Sequence, residues 1–561
     1  MSRSYSKGLI AVLSIMGALI LCSCAPNVQP VKEQYGIQNA DSYNQTFQEE
    51  YESLIKAVAK RPNDSEPLEA LAYFYHANLL LKESQTVYAS LFAFPDSKAK
   101  WHYYAGRIAL DLGDQERALE HLNEAVARDD RYGLSHFYLG EVFLKLGELE
   151  KAESSYRSYL EIGTEKAYGF IGLGRVEIAR KQWSQAEGLL LNSLREDSKI
   201  VSAYSLLTNI YRRMGREDQL KRVERAALNG ERYHQPRDEW MEELYPFCLE
   251  PYRLSVIASI LEASGREREG IEFLQKAVSL SPENSRLVFQ LAEMLKKSDP
   301  SEEVTELLLR AIELDSTYES AHYAYVSELD SNGESEAALA ASQRAVELAG
   351  EASGLWRQRG VLLEKARELS GAELAFRKAV EMEPTESKNQ SALANFLWAK
   401  NEKAEAIVHY KEVRKLSPIE PKCRAILAAH YLEQKDFDEA RKCIDEAVAI
   451  DPQLDGLTEL NVQHHLLEGS AKLLEGDLEA AALSFESGLK IDPKHLDTMV
   501  RLVAVYLEQD ELESARATAR AAVKQHPRAA IAYRVMAGVE MKAGNAQEAQ
   551  TWMERARKLQ K

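Results

Sequence analysis

The 561-residue chain carries 88 Asp and Glu against 70 Lys and Arg, a formal net charge of −18, with 45% hydrophobic residues and five cysteines. So large an acidic excess repels phosphate backbones and anionic lipid headgroups, which argues against nucleic-acid binding and against adsorption to a membrane through a basic face. The chain is also longer than one compact core usually encloses, so several domains or an additive, repeating architecture is required.

In chain order, Arg3 and Lys7 precede an uncharged apolar run from Gly8 to Leu21. That run is too short to span a bilayer and suits the core of a secretory signal peptide. It ends in Leu21-Cys22-Ser23-Cys24, which resembles the bacterial lipobox, with Leu at −3, a small Ser at −1 and Cys at +1. The resemblance implies a signal peptide over residues 1–23, a diacylglycerol on the Cys24 thiol, and a lipidated tether over residues 24–42. Ala25 at +2 is not the Asp that retains lipoproteins at the inner membrane in enterobacteria-like systems, which favours an outer membrane facing the periplasm in a two-membrane cell. Losing residues 1–23 removes two positive charges and no negative ones, taking the net charge from −18 to −20. Attachment to a membrane is therefore expected through the lipid alone.

Residues 43–64 hold Phe47, Tyr51, Leu54, Ala57 and Pro62, the pattern of a single amphipathic helix that caps the open end of the chain beyond it. From Ser65 to the end a 34-residue pattern recurs. Ala118, Ala152 and Ala186 mark it, then Ala338, Ala372, Ala406 and Ala440, then Ala515 and Ala549. Fourteen units begin at Ser65, Ala99, Gly133, Ala167 and Val201, then Pro251, Ser285, Glu319, Ser353, Ser387 and Pro421, then Val462, Leu496 and Ala530. Each predicts two helices. His136, Leu139, Gly140 and Phe143 form one apolar face, Gly147 stops the first helix, and Ala152, Tyr156 and Tyr159 line the second. The slot of Gly140 is Gly or Ala in eleven of the fourteen units, as a close helix–helix crossing demands. Pro282, Pro384, Pro418, Pro452, Pro493 and Pro527 recur in one register, closing the second helix.

The segment Trp356…Gly360…Leu363…Ala372…Phe376…Ala379…Pro384 resembles the tetratricopeptide repeat, as does Leu254…Ile257-Ala258…Leu261…Leu274…Ala277…Pro282. The resemblance implies an all-α, right-handed superhelical solenoid of about fourteen tandem helix–turn–helix repeats. It also implies a concave groove lined by the first helices, and a role in protein–protein contact. Residues 65–234 would hold five repeats and residues 251–561 nine. Residues 235–250, with Asp238, Trp240, Tyr245 and Cys248 between Pro236 and Pro246, interrupt the register and predict a short helix and a bend. Seven further residues at 455–461 keep helical phase, predicting a lengthened first helix.

By the same resemblance, a stripe of the first helices faces the groove: Tyr73, Tyr103, Phe137, Tyr168 and Ile171, with Arg107 and Arg175 between them. Exposed aromatics with interleaved Arg suit peptide contact, although such stripes also serve as core. Trp240 is a contact candidate in the insert. The slots of the family's chaperone-tail clamp hold Glu69, Tyr73, Tyr104, Leu134 and Tyr138, so that recognition is not expected.

No enzyme chemistry is motivated. Gly172-Leu173-Gly174 lacks the strand that precedes a dinucleotide loop, and Asp330–Glu334 lacks the distal ligands of a calcium loop. His464 and His465 are adjacent and point about 100° apart on a helix, so they do not make a two-His metal face. Cys248, Cys423 and Cys443 suggest no disulfide framework. The expected protein is a non-enzymatic scaffold without cofactor, metal or small-molecule substrate. It would be lipid-anchored on the extracytoplasmic side of a bacterial membrane and bind subunits of an envelope complex; a holding chaperone for exported proteins is the alternative.

Overall fold

The computed structural model describes residues 27–227, 230, 235–298 and 302–560. The expectations placed on residues 1–26, including lipidation at Cys24, lie outside them. Among the described residues every regular element is helical. Helices Gln29–Tyr35 and Gln45–Lys60 precede fourteen helical hairpins, which form an all-α solenoid. The first four hairpins are Ser65–Ala77 with Leu81–Leu91, Ala99–Asp111 with Gln115–Arg128, Gly133–Leu146 with Leu149–Ile162, and Lys166–Ala179 with Trp183–Glu196. Helix Gln45–Lys60 starts on an Asn44 cap that accepts from the Phe47 amide, and its Phe47 ring lies 4.7 Å from Phe74 of the first hairpin.

One contact repeats through the solenoid. A glycine in the first helix of a hairpin faces a bulky side chain sixteen residues further on. A Cβ at Gly106 would stand 2.8 Å from Leu122, at Gly140 2.8 Å from Tyr156, at Gly360 2.7 Å from Phe376 and at Gly469 2.8 Å from Phe485. Two helices cross there with no room for a methyl group. Tyr156 is gripped twice, because Gly172 of the next hairpin also lies against its ring. Ala118, Ala152 and Ala186 of the second helices are fully buried.

The turn inside each hairpin is equally regular. Its left-handed residue is Gly113, Gly147, Gly215, Gly265, Gly333, Gly476 and Gly544 in seven hairpins. Leu79, Lys181, Arg367, Asn401, Lys435 and Asp510 hold the same place in six others, at φ of 59–66°. The fourteenth turn falls outside the described residues. Register, rather than glycine, fixes this conformation.

The chain divides into two compact units between Leu314 and Asp315. Residues 235–250 interrupt the repeat register with a short helix and a tight turn, and the segment packs back onto the first three hairpins, so it joins the hairpins on either side of it. In the second unit the helix Leu457–Glu475 runs 19 residues. Its extra turn inserts Leu457 into the apolar cluster of the preceding hairpins, with Tyr410, Cys423, Ile444 and Ala447.

Candidate polypeptide-binding face

Residues 235–250 form a strap rather than a loop. Asp238 caps the single turn Glu239–Glu242 by accepting from the Met241 amide at 3.0 Å, and Pro246 sits in a second tight turn, Tyr245–Phe247. Glu250 then caps the helix Pro251–Ala263, whose Pro occupies a first-turn position where no N–H is needed. A segment this short holds its shape only through what it touches.

What it touches is the face formed by the first helices of hairpins one to three. The Asp238 carboxylate accepts from the Tyr103 hydroxyl at 2.5 Å, the Arg107 guanidinium at 2.6 Å and the Tyr132 hydroxyl at 2.7 Å. Burial raises the Tyr103 and Tyr132 phenols above their ordinary range, so both remain donors. Arg107 and Asp238 side chains are only 14% and 12% exposed, and the guanidinium also lies 3.9 Å over the Tyr138 ring. Trp240 stacks on Tyr132 at 3.6 Å and meets Tyr103 edge-on at 5.3 Å, while Tyr104 donates to the Trp240 carbonyl at 2.5 Å.

Further along, Asn78 grips the strap by its backbone. Its amide nitrogen donates to the Phe247 carbonyl at 2.9 Å and its amide oxygen accepts from the Leu249 N–H at 2.7 Å. The Phe247 ring meets Tyr73 edge-on at 5.6 Å. The outer side of the strap is held by the sixth hairpin, Pro251–Ala263 with Glu267–Leu280, where Arg266 pairs with Glu242 at 2.7 Å and Lys276 donates to the Pro246 carbonyl.

The predicted groove residues therefore separate. Tyr73, Tyr103 and Arg107 lie together beneath the strap, and Trp240 faces inward onto them. Their expected exposure is corrected: the chain's own segment covers them. Phe137 is half-buried against Tyr156 and Tyr159 of its own hairpin, and Tyr168 and Ile171 are buried. Arg175 pairs with Glu141 at 2.5 Å. Sequence reasoning missed Asn78 and Tyr132. The one available signal was the pairing of Asp238 with Trp240 between two prolines, opposite a lone Arg among tyrosines.

Cys248, Cys423 and Cys443 are free and buried, and burial pushes each thiol up to about 11, which makes them poor nucleophiles. His464, His465 and Glu468 bring ligand atoms within 4.8 Å of one another, closer than the helical argument for the adjacent histidines allowed. However, Arg441 donates to Nε2 of His465 at 3.1 Å, so that nitrogen's lone pair is already engaged. Among the described residues no helix is long and apolar enough to cross a membrane.

Models of the tetratricopeptide repeat match residues 103–168, 254–284, 397–457 and 472–537, so the chain carries such repeats in both compact units. Anaphase-promoting complex subunit 3 of Schizosaccharomyces pombe is 23% identical over 137 residues, 24% of this chain and 20% of that protein. The chain thus spans about one fifth of the length of this curated relative. Among solved structures, yeast Tom70 is 17% identical, covering 82% of this chain and 96% of its own at a TM-score of 0.29. YrrB, described as a TPR protein with an unusual peptide-binding site, is 19% identical, with coverage of 33% and 96% and a TM-score of 0.27. MamA of Desulfovibrio magneticus RS-1 is 17% identical, with coverage of 30% and 94% and a TM-score of 0.26.

Proposed function

We propose that this chain is a non-enzymatic scaffold for protein–protein interaction, lipid-anchored through Cys24 on the extracytoplasmic side of a bacterial membrane, where it assembles or stabilises an envelope complex. The carrying observation is the face of the first three hairpins, which holds a polypeptide segment by its backbone at Asn78 and by its side chains at Arg107, Tyr103 and Tyr132. Tandem repeats extend through both units, and tethering raises the effective concentration of the face for partners in the same membrane. The anchor is supported by Arg3, Lys7, the apolar run to Leu21 and the Ser23-Cys24 junction. Envelope subunits, rather than nucleic acid, suit a chain of net charge −18. The alternative of a holding chaperone needs an open aromatic groove, and the strap closes that groove over Tyr73 and Tyr103.

In-cell crosslinking of tagged protein, with mass spectrometry of what is recovered, tests the reading. One or two stoichiometric envelope proteins, lost from the membrane fraction together with the chain in Cys24→Ser, are expected. A long list of exported proteins recovered in traces, or a Cys24→Ser chain that still fractionates with membranes, would overturn it.

A further inference from the structure

We infer that the Arg107 face is a recognition site for polypeptide segments that carry a carboxylate two residues before an indole. Asp238–Leu249 fills it in cis, and a partner's segment of the same chemistry enters by exchange with this strap. The inference rests on the scaffold reading and adds the ligand class and its control.

The chemistry of the ligand comes from the site. Arg107 is largely enclosed by Tyr103, Tyr132 and Tyr138, and Asp238 is the carboxylate that meets its guanidinium at 2.6 Å. A buried guanidinium left without a carboxylate is strongly unfavourable, so whatever replaces the strap must bring an acid to that point. Three side-chain donors of the face converge on this one carboxylate, which also caps its own turn, and neutral phenols supply two of them. Two residues on, the Tyr132 ring offers a flat platform at stacking distance, which selects an indole or another broad aromatic ring. Two residues further, Arg266 selects a second acid, now Glu242. The occupant therefore reads Asp-x-Trp-x-Glu.

The remaining contacts accept any sequence. Tyr104 binds the carbonyl of Trp240, and Asn78 binds a carbonyl and the N–H two residues later. Asn78 is preset for this, since its amide also donates to the Phe74 carbonyl at 2.7 Å. A two-point grip on main chain is how a protein holds a peptide whose covalent connection does not matter. The strap itself contributes one helical turn and one tight turn, so little of its shape comes from its own hydrogen bonds and the contacts with the face supply the rest.

The test uses the full chain with Asp238→Ala and Trp240→Ala together, which releases the strap, and a fluorescent synthetic peptide of residues 235–250 with Cys248→Ser. Anisotropy titration is expected to give saturable binding to the released chain and at least tenfold weaker binding to the intact chain. A peptide with Asp238→Ala should not bind. Hydrogen exchange on both chains runs alongside. In the intact chain, peptides covering 238–249 should exchange before those of the first three hairpins; exchange at one common rate would mean a fixed framework piece and overturns the inference. It falls equally if the released chain keeps protection in hairpins one to three yet takes up no peptide, or if that protection collapses. A failure to recover partners from cells would sink the scaffold reading while leaving this titration intact.

Discussion

Tyr103 and Asp238 lie 135 residues apart in sequence and share a 2.5 Å hydrogen bond, the phenol donating to the carboxylate. Tyr103 is fully buried by this arrangement, so it is part of a core that spans the strap and the second hairpin. Truncation to Ala should destabilise the first unit by about 3–5 kcal/mol, whereas Tyr103→Phe, which removes only the donor, should cost about 1–3 kcal/mol. Urea unfolding of the full chain measures both. Equal and negligible effects would return Tyr103 to the surface role that its place in the repeat suggested.

Arg107 and Asp238 form the buried ion pair of this face. Asp238→Ala leaves the guanidinium without its anion and should cost about 3–5 kcal/mol. Adding Arg107→Met should recover a large part of that loss, because the remaining site is then uncharged. A double-mutant cycle with no coupling would show that the pair contributes nothing.

The left-handed turn offers a gain rather than a loss. Lys181, Arg367, Lys435 and Asp510 hold φ near 60°, a region that L side chains enter at a cost of about 1–2 kcal/mol and glycine enters freely. Each change to Gly should raise stability by about 0.5–1 kcal/mol after the extra entropy of the unfolded glycine is subtracted. Differential scanning calorimetry of a quadruple variant would magnify the effect; a lowered Tm would contradict the account.

Tyr156 tests the close crossing. Its ring lies between Gly140 and Gly172, and its hydroxyl donates to Glu141 at 2.6 Å. Gly172→Ala forces a methyl group into that ring, and Ala152→Leu overfills the crossing next to it. Each should cost about 1–3 kcal/mol, read by thermal unfolding, while Gly188→Ala, where a Cβ meets open space, should be neutral or stabilising.

His76 sets a pH dependence. Burial, reinforced by the charges of Arg107 and Arg253, lowers its pKa from 6.5 to about 3, so it is neutral in the folded chain. Below pH 6.5 the unfolded state takes a proton that the folded state refuses. The stability tied to His76 is therefore complete above that pH and declines as the pH falls toward 3, by about 1.4 kcal/mol per unit along the slope. His76→Leu should flatten that part of the profile in acid unfolding; an unchanged slope would place the titration elsewhere.

Most of the solenoid was readable in advance because each unit repeats the same message. The first helices begin at Ser65, Ala99, Gly133, Val201 and Pro251, where the 34-residue marker put them. The turns at Lys181 and Arg367 were not readable, since no glycine announces them and the neighbouring hairpins impose the geometry. The contact of Arg107 with Asp238 was not readable either. It joins residues 131 apart, and helical periodicity carries no information about which face an insert returns to. Arg107 looked like a groove residue and Trp240 like a contact of the insert, each for an outside partner, because a segment that binds in cis uses the side chains that a ligand in trans would use.

The separation of those two residues also sets an order of events. Synthesis delivers the chain from its N-terminus, so the first three hairpins are complete while Asp238 has yet to emerge. At about 5–20 residues per second, the 76 positions between Ile162, where the third hairpin ends, and Asp238 take roughly 4–15 seconds. During that interval Tyr103, Arg107 and Tyr132 exist without the carboxylate that joins them. The covalent occupant is therefore made after the face that holds it.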